Sequence, residues 1–455
     1  MTTLARTACA AALLALVCVG CKGEEQPVEA PEAPPVSAWL EGTVTVSAEV
    51  DSTADYSGIQ VLVVMPDDAG DLDTLGAATT DAAGRFATPI TAPDRGIYPL
   101  LIRRRGRTFA QADLVVADGD TTMLQAELPV RTPRGVRLRS RENAAYDAYR
   151  NARAQHAATA RGLLGSDIEA LSTAQQQSAS VLWSLRQSYP GTLGAELAAV
   201  EAVALLAGVD DRRAVAYASA VEPGGAAYVP TSRVARKAIG LSAGVDSAAA
   251  FLNRRRAASA EPVEAAAIQA ELVQTYLEAE RRDDALAAAR ALRDEYPGTP
   301  FAEWASRAEY EAEHLLPGLP APAFTADSAD GPITLANFAG RHVILEFYEP
   351  GPGYASVLPT LRALTEGAVG RLALVSVSLA DPDRDALFAE GRTLPGHRVS
   401  AGAPDAELPK LYNVNVVPTR FLIAPDGTIV RKFVGASLPE LQREVAARLQ
   451  AEPAS

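Results

Sequence analysis

Tyr412-Asn413-Val414-Asn415-Val416-Val417-Pro418-Thr419-Arg420-Phe421-Leu422-Ile423-Ala424-Pro425-Asp426-Gly427 carries a loop, a strand and a turn in that order. Arg420–Ala424 and Ile429–Phe433 are apolar-rich runs on either side of Pro425-Asp426-Gly427, a strong hairpin signal. Further upstream, Val343-Ile344-Leu345-Glu346-Phe347 and Leu372–Val377 are short apolar runs of the kind buried on both faces of a central sheet. Leu438–Leu449 then closes the region with an amphipathic helix. Strands alternating with helices and ending in a hairpin predict an α/β domain with a mixed sheet over residues 317–450.

Four segments of this region fall in a recognisable order: Ala321-Pro322-Ala323-Phe324, Leu335-Ala336-Asn337-Phe338-Ala339-Gly340, Phe347-Tyr348 at a strand end, and Val417-Pro418-Thr419 before Phe421-Leu422-Ile423. Together they resemble the thioredoxin fold, in particular the membrane-anchored TlpA/ResA-type oxidoreductases within the wider peroxiredoxin-like (AhpC/TSA-like) group. The resemblance implies a cis bond before Pro418. It also implies a Trp-Cys-x-x-Cys after the first long strand, at a helix start where the dipole and unpaired N–H groups favour a thiolate. Here the chain instead reads Phe347-Tyr348-Glu349-Pro350-Gly351-Pro352-Gly353-Tyr354-Ala355-Ser356. All three cysteines, Cys9, Cys18 and Cys21, lie at the N-terminus. Beyond Cys21 the chain therefore has no thiolate, sulfenic acid, disulfide or sulfur ligand for zinc. Ser356 has no histidine nearby in sequence to activate it. No catalytic residue is assigned. In redox members the proline loop pairs with the backbone of a bound polypeptide, so the resemblance implies a peptide-binding edge at Val417 and Pro418, with Tyr348 and Tyr354 as apolar anchors. The alternative is that Pro418 only completes the sheet and the groove is idle.

The remaining chain supplies two more bodies and an address. At 455 residues it is long enough for about three domains. The 48% hydrophobic and 22% charged content is that of a globular protein. A net charge of −14 with no long basic run argues against a nucleic-acid partner. Ala8–Gly20 is apolar or small throughout and has the size of a signal-peptide core, too short to span a membrane. Cys18-Val19-Gly20-Cys21 resembles a bacterial lipobox, although Cys18 stands where that motif usually has Leu. It implies a signal peptide over 1–20, lipidation of Cys21 and, from Lys22, the outer membrane facing the periplasm. An ordinary secretory signal is the other reading. The Glu- and Pro-rich stretch within 21–37 cannot bury apolar surface and reads as an extended tether.

Residues 38–130 read as all-β, and Glu41-Gly42-Thr43-Val44 with the turn Thr80-Asp81-Ala82-Ala83-Gly84-Arg85-Phe86 resembles a carboxypeptidase-regulatory-like β-sandwich. Arg103-Arg104-Arg105 with Arg107 is either an anion-binding cluster or a solvated hairpin tip. Residues 138–315 turn Ala-rich with helical periodicity; Ile268, Leu272 and Tyr276 share a helix face, and Asp283-Asp284 are expected to cap Ala285–Tyr296. Leu185-Arg186-Gln187-Ser188-Tyr189-Pro190-Gly191-Thr192 recurs as Leu292-Arg293-Asp294-Glu295-Tyr296-Pro297-Gly298-Thr299, an offset of about three 34-residue periods. This pattern resembles tetratricopeptide-like helical hairpins.

Metal and nucleotide signals are thin. His156, His314, His342 and His397 show no ligand spacing, and no phosphate loop occurs. Asp381-Pro382-Asp383-Arg384-Asp385 lacks the Gly and distal Glu of a calcium loop and is expected to cap Asp385–Glu390. No cofactor and no metal are assigned. The expectation is a multidomain envelope lipoprotein whose redox-inactive thioredoxin-like domain binds an envelope protein or peptide. The alternatives are a diverged thiol–disulfide oxidoreductase that works with a partner's cysteines, and an inert spacer.

Overall fold

Strict alternation of exposed and buried side chains along two strands of the N-terminal region gives each one solvated and one packed face. The computed structural model describes residues 35–451 except 51, 68–70, 131–134, 164, 166, 329–330 and 436, so Cys21 and most of the tether lie outside the described residues. The chain divides into two compact units, one through Ile268 and the other from Gln269 onward.

The first unit opens with eight strands: β1 (Val36–Val46), β2 (Gln60–Pro66), β3 (Leu72–Thr79), β4 (Arg85–Ala92), β5 (Gly96–Arg104), β6 (Arg107–Val116), β7 (Thr121–Leu128) and β8 (Val136–Arg139). They form two four-stranded sheets, ordered β4-β1-β7-β8 and β3-β2-β5-β6. Leu40, Val44, Val61, Leu100, Leu114 and Leu124 from both sheets share one core. β8 extends this region beyond the expected end at 130, because Val136 and Leu138 alternate inward against that core. In the turn before β4, Asp81 Oδ1 accepts the N–H groups of Ala83 and Arg85. Gly84 there has φ +78°, and a Cβ would lie 2.3 Å from the Val44 carbonyl oxygen. The bond from the Arg85 N–H holds Asp81 below its ordinary pKa. Its folded-state pKa being lowered, this turn's contribution is present above the ordinary carboxylate pKa and is lost as pH falls through the folded value. The basic cluster lies at the β5–β6 tip, with Arg105 at φ +50°.

Seven helices follow: α1 (Arg141–Gly162), α2 (Ile168–Ser188), α3 (Leu193–Leu206), α4 (Asp211–Ser219), α5 (Tyr228–Ala243), α6 (Val245–Ala258) and α7 (Pro262–Glu278), within which the division falls. Asn143 fastens α1 to the sheets. Its Oδ1 accepts the Val115 N–H at 3.0 Å, while Nδ2 donates to the Val115 carbonyl and to the Thr122 hydroxyl. The side chain is buried. Asn143→Ala strands these partners, and we expect a loss of about 1–3 kcal/mol in the chemical unfolding of the first unit.

The second unit includes α8 (Arg282–Glu295) and α9 (Pro300–His314), so these last helices of the expected array pack in the same unit as the C-terminal sheet. α8 starts three residues before the expected Ala285. Asp283 and Asp284 occupy its first turn, and Asp284 pairs with Arg281 at 2.7 Å instead of capping the helix. The two copies of Tyr-Pro-Gly-Thr have one backbone: Gly191 and Gly298 take φ +73° and +78°, and the Thr192 and Thr299 hydroxyls donate to the Tyr189 and Tyr296 carbonyls. Each copy ends one helix and starts the next, as proline and a left-handed glycine dictate.

The seven remaining strands are β9 (Thr325–Ser328), β10 (Gly331–Thr334), β11 (His342–Tyr348), β12 (Leu372–Ser378), β13 (His397–Ser400), β14 (Thr419–Ile423) and β15 (Ile429–Val434), in sheet order β10-β9-β13-β12-β11-β14-β15. β11, β12 and β13 are parallel; β14 runs antiparallel to β11, and β15 runs antiparallel to β14. Every residue of β11 and β12 is buried. One sheet face packs Phe324, Phe338 and Tyr412; the other packs α11 (Leu358–Glu366) and α14 (Leu438–Ala451) through Leu361, Leu441 and Val445. Short helices α10 (Pro352–Ala355), α12 (Pro382–Ala389) and α13 (Glu407–Leu411) fill the connections. Asp381 caps α12, whose span contains Asp385. The mixed α/β sheet and the Pro425-Asp426-Gly427 hairpin appear as expected.

Candidate functional site

The register of the central sheet brings two opposite charges together inside it. Glu346 on β11 faces Arg420 on β14 and Ser376 on β12. Glu346 and Arg420 are 0% and 1% exposed. Arg420 Nε donates to Glu346 Oε2 at 2.6 Å, and the Tyr354 and Ser376 hydroxyls donate to Oε1 at 2.6 and 3.2 Å. A carboxylate out of water needs such saturation of its lone pairs, since desolvation costs several kcal/mol per ion, on the order of what the pairing returns.

Just beyond Tyr348 the chain turns through Glu349-Pro350-Gly351 into α10 and folds back on itself. The Tyr354 ring stacks on Tyr348 with centroids 3.7 Å apart, and the Phe388 ring of α12 meets it tilted by 44° at 5.9 Å. Burial raises the Tyr354 pKa, with the Glu346 charge adding to it; burial also raises Tyr348, with Asp385 adding, and Tyr412. Raised phenol pKa values give stability that is fully present below about pH 10 and is lost as pH climbs through the folded-state values. An alkaline titration should therefore show phenolate absorbance from these three rings only as the second unit unfolds.

The proline loop closes the opposite side of β11. Val417–Pro418 is cis. The Thr419 hydroxyl donates to the Val416 carbonyl at 2.6 Å, and Gly435 N–H donates to the Pro418 carbonyl at 2.8 Å. α9 buttresses the loop. Asn413 Nδ2 donates to the Arg307 carbonyl and to Glu311 Oε2, Arg307 donates to Asn415 Oδ1, and the Tyr310 hydroxyl donates to the Leu411 carbonyl. Glu311 also holds Lys432 of β15 at 2.8 Å. Between α9, the end of α7, the loop and the outer edge of β15 lies a groove of about 850 Å³, lined among others by Leu277, Trp304, Val416 and Val434.

Of the residues read from the sequence, Val417 and Pro418 are half-buried in the loop, and the register sets that loop beside the Tyr348 end of β11. Tyr348 and Tyr354 are core residues, 1% and 8% exposed, and so are placed otherwise than as anchors open to a partner. The reason is local: β11 is buried on both faces, and the Gly-Pro turn folds Tyr354 back onto it. Cys21 lies outside the described residues. Glu346 and Arg420 were not singled out, although each is a charge inside an apolar run, which was the available signal. His342 and His397 begin β11 and β13. Among the described residues no cluster of His, Cys, Asp or Glu could hold a metal, and no helix is long and apolar enough to cross a membrane.

No family model matches the chain, and no curated protein matches it. Thioredoxin-like domains among the solved structures match a fragment of it. A protein assigned as the thiol:disulfide interchange protein DsbE from Chlorobium tepidum is 26% identical over 29% of this chain and 97% of its own, with a TM-score of 0.26. StoA from Bacillus subtilis is 25% identical over 29% and 99%, with a TM-score of 0.25. The thioredoxin domain of a thiol-disulfide oxidoreductase from Bacteroides vulgatus is 22% identical over 29% and 99%, with a TM-score of 0.25.

Proposed function

We propose that this chain is an envelope-anchored lipoprotein, held by lipid on Cys21, whose C-terminal thioredoxin-like domain binds a protein or peptide and performs no redox chemistry. One observation carries the reading. The segment standing where the family keeps its dithiol, Tyr348–Ser356, has no sulfur, and its two tyrosines are packed into the core over Glu346. A dithiol needs an exposed helix start to react; this segment presents a Gly-Pro turn and a closed aromatic stack. The strand order agrees with the resemblance drawn from the sequence. The sulfur-free segment weighs against an oxidoreductase that depends on its own thiols.

The test is a disulfide-exchange assay on the mature Cys21→Ser protein with an unfolded disulfide substrate. We expect neither reduction nor oxidation above background. Turnover above background would overturn the reading. In parallel, a photocrosslinker at Val416 in native envelopes should trap a discrete partner, whereas silence there and at Trp304 would leave the spacer reading ahead.

A further inference from the structure

Resting on that binding reading, we infer that the recognition surface is the open edge of β15, where a bound polypeptide adds an eighth strand in the groove beside α9. The backbone of β15 turns part of its hydrogen-bonding groups away from β14. Gly435 N–H donates inward to the Pro418 carbonyl, and Thr419 faces Val434 and Phe421 faces Lys432 across the β14–β15 ladder. Hydrogen-bonded and non-bonded pairs alternate in an antiparallel ladder, so the N–H and C=O groups of Lys432 and Val434 face away from β14 and into the groove. Among the described residues no backbone group outside the ladder bonds to them. Such a row of free donors and acceptors is a template for another strand.

The chain itself shows how this edge is used. At the other end of β15, Gly318 N–H donates to the Ile429 carbonyl, Ile429 N–H donates to the Leu319 carbonyl, and Pro320 bridges antiparallel to Thr428. Residues 318–320 thus already cover the first part of the edge, and an incoming strand continues that interface along Lys432 and Val434. Groove chemistry selects the occupant. Most charges around it pair with one another, Glu311 with Lys432 at 2.8 Å, Glu444 with Arg448 at 2.9 Å and Arg431 with Glu440 at 3.8 Å. The apolar surface left for a ligand is Trp304 on the helical wall and Val416 and Val434 on the other, the last two 47% and 49% exposed, with the exposed Glu280 and the amides of Gln274 and Asn415 beside them. The partner is therefore an extended peptide with alternating apolar side chains and little net charge. This edge is separate from the Val417 backbone, which the resemblance implicates in the redox members.

The probe is a pool of fluorescein-labelled, N-acetylated octapeptides alternating Val, Leu or Tyr with Thr, Lys or Glu; a control pool carries proline at the central positions. Binding to the mature full-length protein is read by anisotropy, and the contact is mapped by amide exchange. We expect the alternating pool to bind, the proline pool to bind at least tenfold more weakly, and the Lys432 and Val434 amides to gain protection. Val434→Pro deletes one outward donor at an edge position that tolerates proline. Val416→Trp, at a lining position 47% exposed, fills the groove from the proline loop. Each should lower affinity at least tenfold. If Val434→Pro fails to fold, Val416→Trp alone carries the test. Binding that survives the folded variants overturns the edge-strand inference and leaves the binding module standing with its site elsewhere. No binding by any pool member overturns the inference as well. Disulfide turnover by the Cys21→Ser protein would sink the underlying reading instead.

Discussion

Arg420→Met should destabilise the second unit by about 3–5 kcal/mol, the effect of leaving one member of a buried ion pair without its partner. Methionine fills much of the arginine's volume, so the loss is electrostatic rather than a cavity. Glu346 would remain fully buried between β12 and β14, with only the Tyr354 and Ser376 hydroxyls donating to it. Adding Glu346→Leu removes the stranded charge, and the double variant should recover part of the loss. It should not recover all of it, because two buried hydroxyls then lack an acceptor, at about 1–3 kcal/mol each. The two compact units make a single global transition an unsafe readout, so the quantity to follow is amide exchange of the β11 and β14 backbone in native conditions. Near-native protection in Arg420→Met would mean that Glu346 reaches water, and therefore that segment 349–357 opens readily.

Why this pair escaped the sequence reading is a matter of register. Val343–Phe347 and Arg420–Ala424 were legible as buried strands because their apolar runs are short and local. That their two charges meet depends on β11 and β14 being neighbours with Glu346 opposite Arg420, and a slip of one residue would send either charge to the other face. The burial of Tyr348 and Tyr354 was hidden for a related reason. Reading Tyr348 and Tyr354 as anchors assumed that the residues after β11 project outward, whereas the turn through Pro350 and Gly351 returns Tyr354 to the strand end. Local mechanics, by contrast, was fully visible: both Tyr-Pro-Gly-Thr stops, the Asp81 turn and the Pro425-Asp426-Gly427 hairpin lie where the residues put them. Helix periodicity likewise gave α8 and α9 as helices. It could not say that they pack in the unit of the C-terminal sheet, since Tyr310, Arg307 and Glu311 meet partners about a hundred residues away in sequence.

Tyr354→Ala should cost about 3–5 kcal/mol, the range for deleting a large aromatic ring from a core. Two contributions can be separated. Tyr354→Phe keeps the ring on Tyr348 and against Phe388 but removes the donor to Glu346, a hydrogen bond to a charged acceptor worth about 1.5–3 kcal/mol. The difference between the two variants measures the packing of the ring. Tyr354→Ala should also speed amide exchange through segment 349–357, because the aromatic stack is what closes that turn over the sheet. Peptide binding should hardly change in either variant, since none of the residues lining the β15 groove comes from that segment. These two readouts decide between the two possible recognition surfaces. A variant that keeps its β11 protection yet loses peptide affinity tenfold would move recognition to the Tyr348–Ser356 face. A variant that loses stability while the peptide still binds would leave that face as core and the edge of β15 as the binding surface.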